Sequence, residues 1–219
     1  MPDEPKRIAD EGSALAPFDI RVHSAWRAWL SALATDPEAA LAAALTYESL
    51  DDDARSRWLD ALEQDAPKVP VPKVAIYGPL LWVETDPERR SRIAAAAFGD
   101  ATTDASPKVE RTLRGVAANG DRVVALVLPL YLDFVQVLSC RYTAGDGFVW
   151  VRHEPVLHRN EAPRHGTELD ATPLELTPPH PIIEELAHAI VAHKRTGRPL
   201  PEALHDFAHL FDPTFLETE

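Results

Sequence analysis

The sequence predicts an α+β protein: an N-terminal helical subdomain, an antiparallel sheet of three to five strands, and C-terminal helices packed on that sheet. Three observations carry this prediction. Apolar residues recur at helical spacing over residues 22–62, alternate at strand spacing over residues 123–151, and return to helical spacing after residue 181. A chain of 219 residues that is 45% hydrophobic is long and apolar enough to bury a sizeable core.

The N-terminal part divides into a tail and a helical subdomain. Residues 1–17 are polar and contain three prolines, which predicts a flexible tail. Residues 18–66 are expected to form the helical subdomain, because apolar side chains that include Trp26 and Trp29 share one helix face. Asp36 followed by Pro37 is a strong signal for the start of the next helix, and a third helix is expected near Asp51.

The remaining residues, 67–219, are predicted to form the α+β domain. Residues 66–74 contain three prolines and are interpreted as a connector. The following segment VAIYGPLLWVE, residues 74–84, is predicted to be extended and broken at Gly78–Pro79. A second TDPE tetrapeptide then predicts a helix that ends at Gly99.

The middle of the chain carries the strand signals. Asn119–Gly120 between two apolar segments predicts a β-hairpin. Residues 131–143 alternate over more than the usual strand length, which predicts a bulge or bend, and the turn at 144–147 leads into another strand. The proline-rich loop 155–181 is expected to be either functional or ordered packing over a sheet edge.

Composition excludes several classes of function. The formal charge of −13 disfavours a partner with a phosphate backbone, so no nucleic-acid binding is expected. The chain lacks an apolar run suited to a membrane span or a signal peptide, and Cys140 is its single cysteine, which predicts a soluble cytoplasmic protein. Strand alternation puts Cys140 on the more apolar face, so it is interpreted as a structural thiol.

The histidines between residues 180 and 211 are the main candidates for chemistry. His205 and His209 are four apart in a predicted helix, a spacing that can chelate a metal ion. Glu185 and His188 could supply further ligands if the two predicted helices pack antiparallel. The alternatives are acid–base use of His188 or His205, and ordinary solvated helix faces. No other cofactor is indicated, because nucleotide-binding glycine motifs are absent from the sequence.

Two functional hypotheses follow. The leading one is a non-catalytic protein-interaction or regulatory module that binds a protein partner, with Trp26 and Trp29 as candidate partner-binding residues. The alternative is a small metal-assisted or His/carboxylate acid–base enzyme that uses the C-terminal histidines. It predicts a concave pocket where at least three histidines converge. The sequence leaves open whether the protein is an enzyme.

Overall fold

The computed structural model describes residues 17–99 and 108–211, so the predicted tail lies outside the described residues except for Pro17. The predicted α+β architecture is confirmed, with helices first, then an antiparallel sheet, then a C-terminal helix. Within the described ranges no helix has the length and apolar character needed to cross a membrane. The α-helices are α1 (Pro17–Ala32), α2 (Pro37–Glu48), α3 (Asp52–Asp65), α4 (Lys73–Val83), α5 (Pro87–Phe98) and α6 (Pro179–Arg195).

The strands form a five-stranded sheet in the order β4-β3-β2-β1-β7 and a separate two-stranded hairpin of β5 and β6. Short 3₁₀ helices cover Ala66–Lys68 and Glu202–Leu210. The strand bounds are β1 (Arg111–Val116), β2 (Arg122–Tyr131), β3 (Phe134–Thr143), β4 (Gly147–His158), β5 (Glu168–Leu169), β6 (Thr172–Pro173) and β7 (Glu175–Leu176).

Three of the helices begin where the sequence predicts. The side chain of Asp36 accepts hydrogen bonds from the first turn of α2, and Asp51 and Asp86 do the same for α3 and α5. Each carboxylate satisfies backbone N–H groups that have no partner inside the helix, and its charge suits the positive end of the helix dipole. The local signal was sufficient here because donor and acceptor lie within three residues of each other.

The prediction of extended structure for residues 74–84 is wrong, because this segment is helix α4. Pro79 lies inside the helix and cannot donate to the carbonyl of Ala75. The hydroxyl of Tyr131 donates to that carbonyl instead, at 3.4 Å. A Cβ added at Gly78 would lie 3.0 Å from the Tyr131 ring. Gly78 and Pro79 therefore form a notch that receives a side chain from the sheet.

The two faces of the sheet are covered by different parts of the chain. One face packs against α6 and the second 3₁₀ helix through Leu138, Cys140 and Phe148, and Cys140 is fully buried. The other face packs against Ala162 and Leu174 from the segment between β4 and α6. A third cluster joins the helices α1 to α5 and extends to the ends of β3 and β4.

Residues 131–143 contain a bend and register irregularities, as their length predicts. Tyr131 ends β2, the chain turns at Leu132 with φ of 46°, and β3 begins at Phe134. Leu132 packs against the helical cluster, so this turn joins the helical part to the sheet. The predicted irregularity is also present within β3, where the β3–β4 register shifts between Val135 and Val137 and again between Arg141 and Tyr142.

Most of the proline-rich segment is ordered packing at the edge of the sheet, one of the two interpretations of its sequence. β7 pairs with β1, and the β5–β6 hairpin folds over the face that contains Arg141 and Trp150. Asp170, at the tip of this hairpin, accepts from Arg141 at 2.5 Å and from the Trp150 indole at 3.3 Å. This pair of contacts holds the hairpin tip against the sheet.

Replacing Ala171 with glycine is expected to raise the free energy of unfolding by roughly 0.5–1 kcal/mol. Ala171 is exposed and has φ of 54°, a conformation that glycine adopts without the steric penalty of a Cβ. Urea denaturation of the Ala171→Gly variant measures the effect. Ala42→Gly, on the exposed face of α2, is the control and should be destabilised by about 1 kcal/mol. Destabilisation in both variants would contradict this account of Ala171.

Candidate functional site

Helix α6 positions the first two predicted metal ligands differently. The side chain of Glu185 points at the sheet, where its Oε2 accepts from the Tyr142 hydroxyl at 2.8 Å and lies 3.0 Å from Arg122 Nη1. Arg114 Nε lies 3.3 Å from the same oxygen. His188, one turn further along the helix, is exposed. The carboxylate therefore already has positively charged and hydrogen-bonding partners.

The other two predicted ligands lie in a segment that is a 3₁₀ helix, whereas an α-helix was predicted. Glu202–Leu210 consists of two short 3₁₀ pieces joined at a kink, where Phe207 has non-helical dihedral angles. This kink lies between His205 and His209, so the two positions do not belong to one regular helix. His205 and His209, both exposed, thus lack the shared face that an α-helix would have given them.

Among residues 17–99 and 108–211, no three His, Cys, Asp or Glu side chains are grouped so that they could hold a metal ion. The structure brings Glu185 and His188 to one cleft, but it does not bring His205 and His209 into a common group with them. The metal assignment of these four residues stays a prediction.

His193 of α6 is a buried histidine whose two ring nitrogens both form hydrogen bonds. It is 4% exposed, and its Nδ1 accepts from the backbone N–H of Phe148 at 3.2 Å. Its Nε2 therefore carries the proton and donates to the carbonyl of Pro199 at 3.0 Å. The imidazole connects β4, α6 and the chain that follows α6.

His153 and His158, both in β4, occupy separate environments. Nδ1 of His153 lies 3.0 Å from Asp206, and its ring meets Phe207 edge-on at 4.8 Å. Burial lowers the pKa of His153, although Asp206 opposes this effect. His158 instead lies against Trp82 at the other end of β4, at 5.5 Å between ring centroids. The two histidines therefore contact different groups.

The side chains of Glu185 and His188 line a cleft between α6 and the sheet, with a volume of about 270 Å³. Its other walls include Arg122, Tyr142 and Thr143. Burial and the hydrogen bond to Glu185 raise the pKa of Tyr142, so its hydroxyl remains a donor at physiological pH. Arg122 and Tyr142 were not predicted from the sequence as site residues. They are directly opposite in the β2–β3 register, a pairing that strand alternation and the hairpin turn could have revealed.

The predicted partner-binding residues lie at the edge of the helical cluster. Trp26 and Trp29 are both half-buried and stack on each other at 5.1 Å. Each meets Trp58 of α3 edge-on at 5.9 Å, and the Trp26 indole donates to Asp65 at 3.1 Å. The exposed parts of the two indoles remain available to a partner, and their assignment as binding residues stays a prediction.

Comparison of the chain with known protein families, with characterised proteins and with solved structures finds no match in any of the three.

Proposed function

We propose that the chain is a non-catalytic protein-interaction or regulatory module that binds a basic amphipathic helix of a partner protein through one face of α2. The observation that carries this proposal is an exposed stripe of side chains on that helix, which we call the α2 stripe. It consists of Glu38, Leu41, Leu45 and Glu48, and its two leucines are 38% and 52% exposed.

The spacing of these residues supports their use as one surface. Steps of three, four and three residues keep side chains on the same side of an α-helix. The opposite side of α2 is buried through Ala40, Ala43 and Tyr47, so the stripe faces solvent. Single exposed apolar residues are common on protein surfaces, but adjacent leucines with polar residues at both ends resemble a docking site for a helix.

Charge favours a basic partner. Between residues 36 and 53 the acidic residues are Asp36, Glu38, Glu48 and the run 51–53, and the sequence there contains no lysine or arginine. The whole chain carries −13. This field accelerates encounter with a positively charged segment and opposes both self-association and nucleic-acid binding. The single cysteine supports placing the module in the cytoplasm.

The enzyme alternative has weaker support. It requires at least three histidines to converge in a concave pocket, whereas His188 is the one histidine in the cleft beside α6. Cys140 does not offer a nucleophile, because complete burial raises the pKa of its thiol. The surface of α2 therefore supports binding better than the C-terminal histidines support catalysis.

A pair of charge substitutions tests the proposal. In the protein isolated from its host, the double variant Leu41→Lys, Leu45→Lys should lose its partner, because lysines repel a basic helix and remove the apolar contact. Val116→Lys is the control, since Val116 is 58% exposed and lies on the sheet. Native mass spectrometry of the three proteins measures the complex. A partner retained by the double variant at wild-type stoichiometry, or a wild-type protein isolated alone, overturns the proposal.

A further inference from the structure

The cleft beside α6 holds an arrangement of charges that the interaction proposal does not use. Tyr142, Arg122 and Arg114 all approach a single oxygen, Oε2 of Glu185, at 2.8, 3.0 and 3.3 Å. This one oxygen cannot accept from all the donors around it, because each guanidinium carries five N–H donors in a planar fork.

The charges in this cleft do not cancel. Two guanidinium groups face the one carboxylate of Glu185, Arg122 from the wall of the cleft and Arg114 from outside its lining, so this cluster carries more positive than negative charge in a protein with a net charge of −13. The Nε of Arg114 is buried and makes no well-aligned hydrogen bond in the structure. A buried charged donor without an aligned acceptor is costly, so the carboxylate of Glu185 leaves Arg114 incompletely paired.

The shape of the cleft limits what could bind. Its volume is about 270 Å³, and the small side chains of Thr143, Ala144 and Ala189 form part of its wall. This volume is slightly below the range usual for pockets of drug-sized ligands. A single carboxylate or phosphate group with a short attached chain fits the space. His188 is exposed at the rim, where its imidazole can donate a further hydrogen bond.

We propose that this cleft is a binding site for a small anion with a carboxylate or phosphate group. Arg122 binds its charge, the Tyr142 hydroxyl donates to it, and Glu185 competes with it for these two donors, while Arg114 adds positive charge next to Glu185. The site is independent of the α2 stripe, because α2 belongs to the helical cluster and the cleft belongs to the sheet and α6.

Competition by Glu185 gives a result that a purely structural ion cluster does not predict. If Glu185 only attaches α6 to the sheet, its removal weakens the fold and creates no affinity for anions. If it occupies an anion site, Glu185→Gln frees both guanidiniums and raises the local positive charge. The variant should then bind the anion more tightly than the wild-type protein.

The test is a titration of the full chain followed by ¹H–¹⁵N NMR, with inorganic phosphate in one series and succinate in another, at constant ionic strength set by chloride. The amide signals of Thr143 and Ala144 should shift and saturate, with a Kd on the order of millimolar. Arg122→Gln should weaken binding about tenfold or more, and Glu185→Gln should strengthen it about threefold or more. Arg27→Gln removes an exposed charge on α1 and should change nothing.

The two ligand series separate phosphate from carboxylate as the preferred group. Absence of saturable shifts in both the wild-type and Glu185→Gln proteins overturns the proposal, and so does equal affinity in Arg122→Gln and wild type. If Arg122→Gln no longer melts cooperatively, the proposal is tested by comparing the anion affinity of Glu185→Gln with that of wild type. Tighter binding in Glu185→Gln supports the site, and unchanged or lost binding in it contradicts the site.

Discussion

Replacing Glu84 with glutamine is expected to lower the free energy of unfolding by about 3–5 kcal/mol, because it leaves buried positive charge without its partner. The side chain of Glu84 is completely buried at the end of α4. Its carboxylate accepts from Arg89 at 2.8 Å, from the Tyr47 hydroxyl at 2.7 Å, and from the backbone N–H of Asp86 at 2.9 Å. Arg55 lies 3.4 Å away. One carboxylate thus joins α2, α3, α4 and α5.

The same network predicts how stability depends on pH. Burial raises the pKa of Glu84, but the hydrogen bonds from Arg89, Tyr47 and the backbone N–H of Asp86 outweigh it and lower the pKa to about 2. In the unfolded chain the pKa is near 4.5. The folded protein therefore binds fewer protons between these values, so the contribution of Glu84 is complete above pH 4.5 and is lost as the pH falls towards 2.

Urea denaturation of wild type and Glu84→Gln at pH 7 and at pH 3 measures both effects. The difference between the two proteins should be large at pH 7 and clearly smaller at pH 3. Glu63→Gln is the matched control, because Glu63 is 49% exposed and pairs with Arg92 at the surface. Glu63→Gln should lower the free energy of unfolding by no more than about 1 kcal/mol. Equal costs for the two substitutions would contradict a special role for the buried carboxylate.

Gly147→Ala is expected to destabilise the protein by roughly 2–5 kcal/mol, through two separate causes. Gly147 has φ of 75°, which a residue with a Cβ adopts only at a cost. An added Cβ would also lie 2.5 Å from the backbone nitrogen of His193, so α6 would have to move away from β4. That movement would lengthen the hydrogen bond from Phe148 N–H to the His193 imidazole.

Substitutions at two other glycines distinguish the cost of the backbone conformation from the cost of the steric contact. Gly120 has φ of 88° but open space around its Cα, so Gly120→Ala measures the backbone cost alone. Gly145→Ala has open space and no unusual φ, so it should be nearly neutral. Amide hydrogen exchange of Phe148 reports on the contact with His193. If Gly147→Ala costs no more than Gly120→Ala and leaves this exchange unchanged, the close approach of helix and strand is irrelevant to stability.

The C-terminal histidines show why part of the candidate site could not be predicted. Helical spacing related Glu185 and His188 within α6, but periodicity gives no information about what lies opposite, and Glu185 points at the sheet whereas His188 is exposed. Tyr142 is 43 residues from Glu185 in sequence, and the hydrogen bond between them exists only after α6 has packed on the sheet. His205 and His209 lie in a kinked 3₁₀ segment where an α-helix was predicted, because the prolines at 199 and 201 mark a helix start without distinguishing 3₁₀ from α.

Helix α4 is the clearest case of tertiary structure overriding a local signal. Gly78 and Pro79 normally interrupt a helix, and β-branched and aromatic neighbours favour a strand. The helix forms because it can bury its apolar residues within the helical cluster and because Tyr131 bonds the carbonyl that Pro79 leaves without a partner. Tyr131 lies 56 residues away from Ala75, beyond the range of any local pattern.

The sequence by itself determined the α+β class, the helix starts at Asp36, Asp51 and Asp86, the hairpin at Asn119–Gly120, and the buried face that holds Cys140. Each depends on hydrogen bonds or on side-chain alternation within a few residues, and such interactions are present in the local sequence. Only the tertiary structure decided the helical state of α4, the enclosure of Glu84, the cleft around Glu185, and the exposure of Leu41 and Leu45. These features depend on which distant segments pack together. Their free energy comes from burial and charge pairing between those segments, which no single segment encodes.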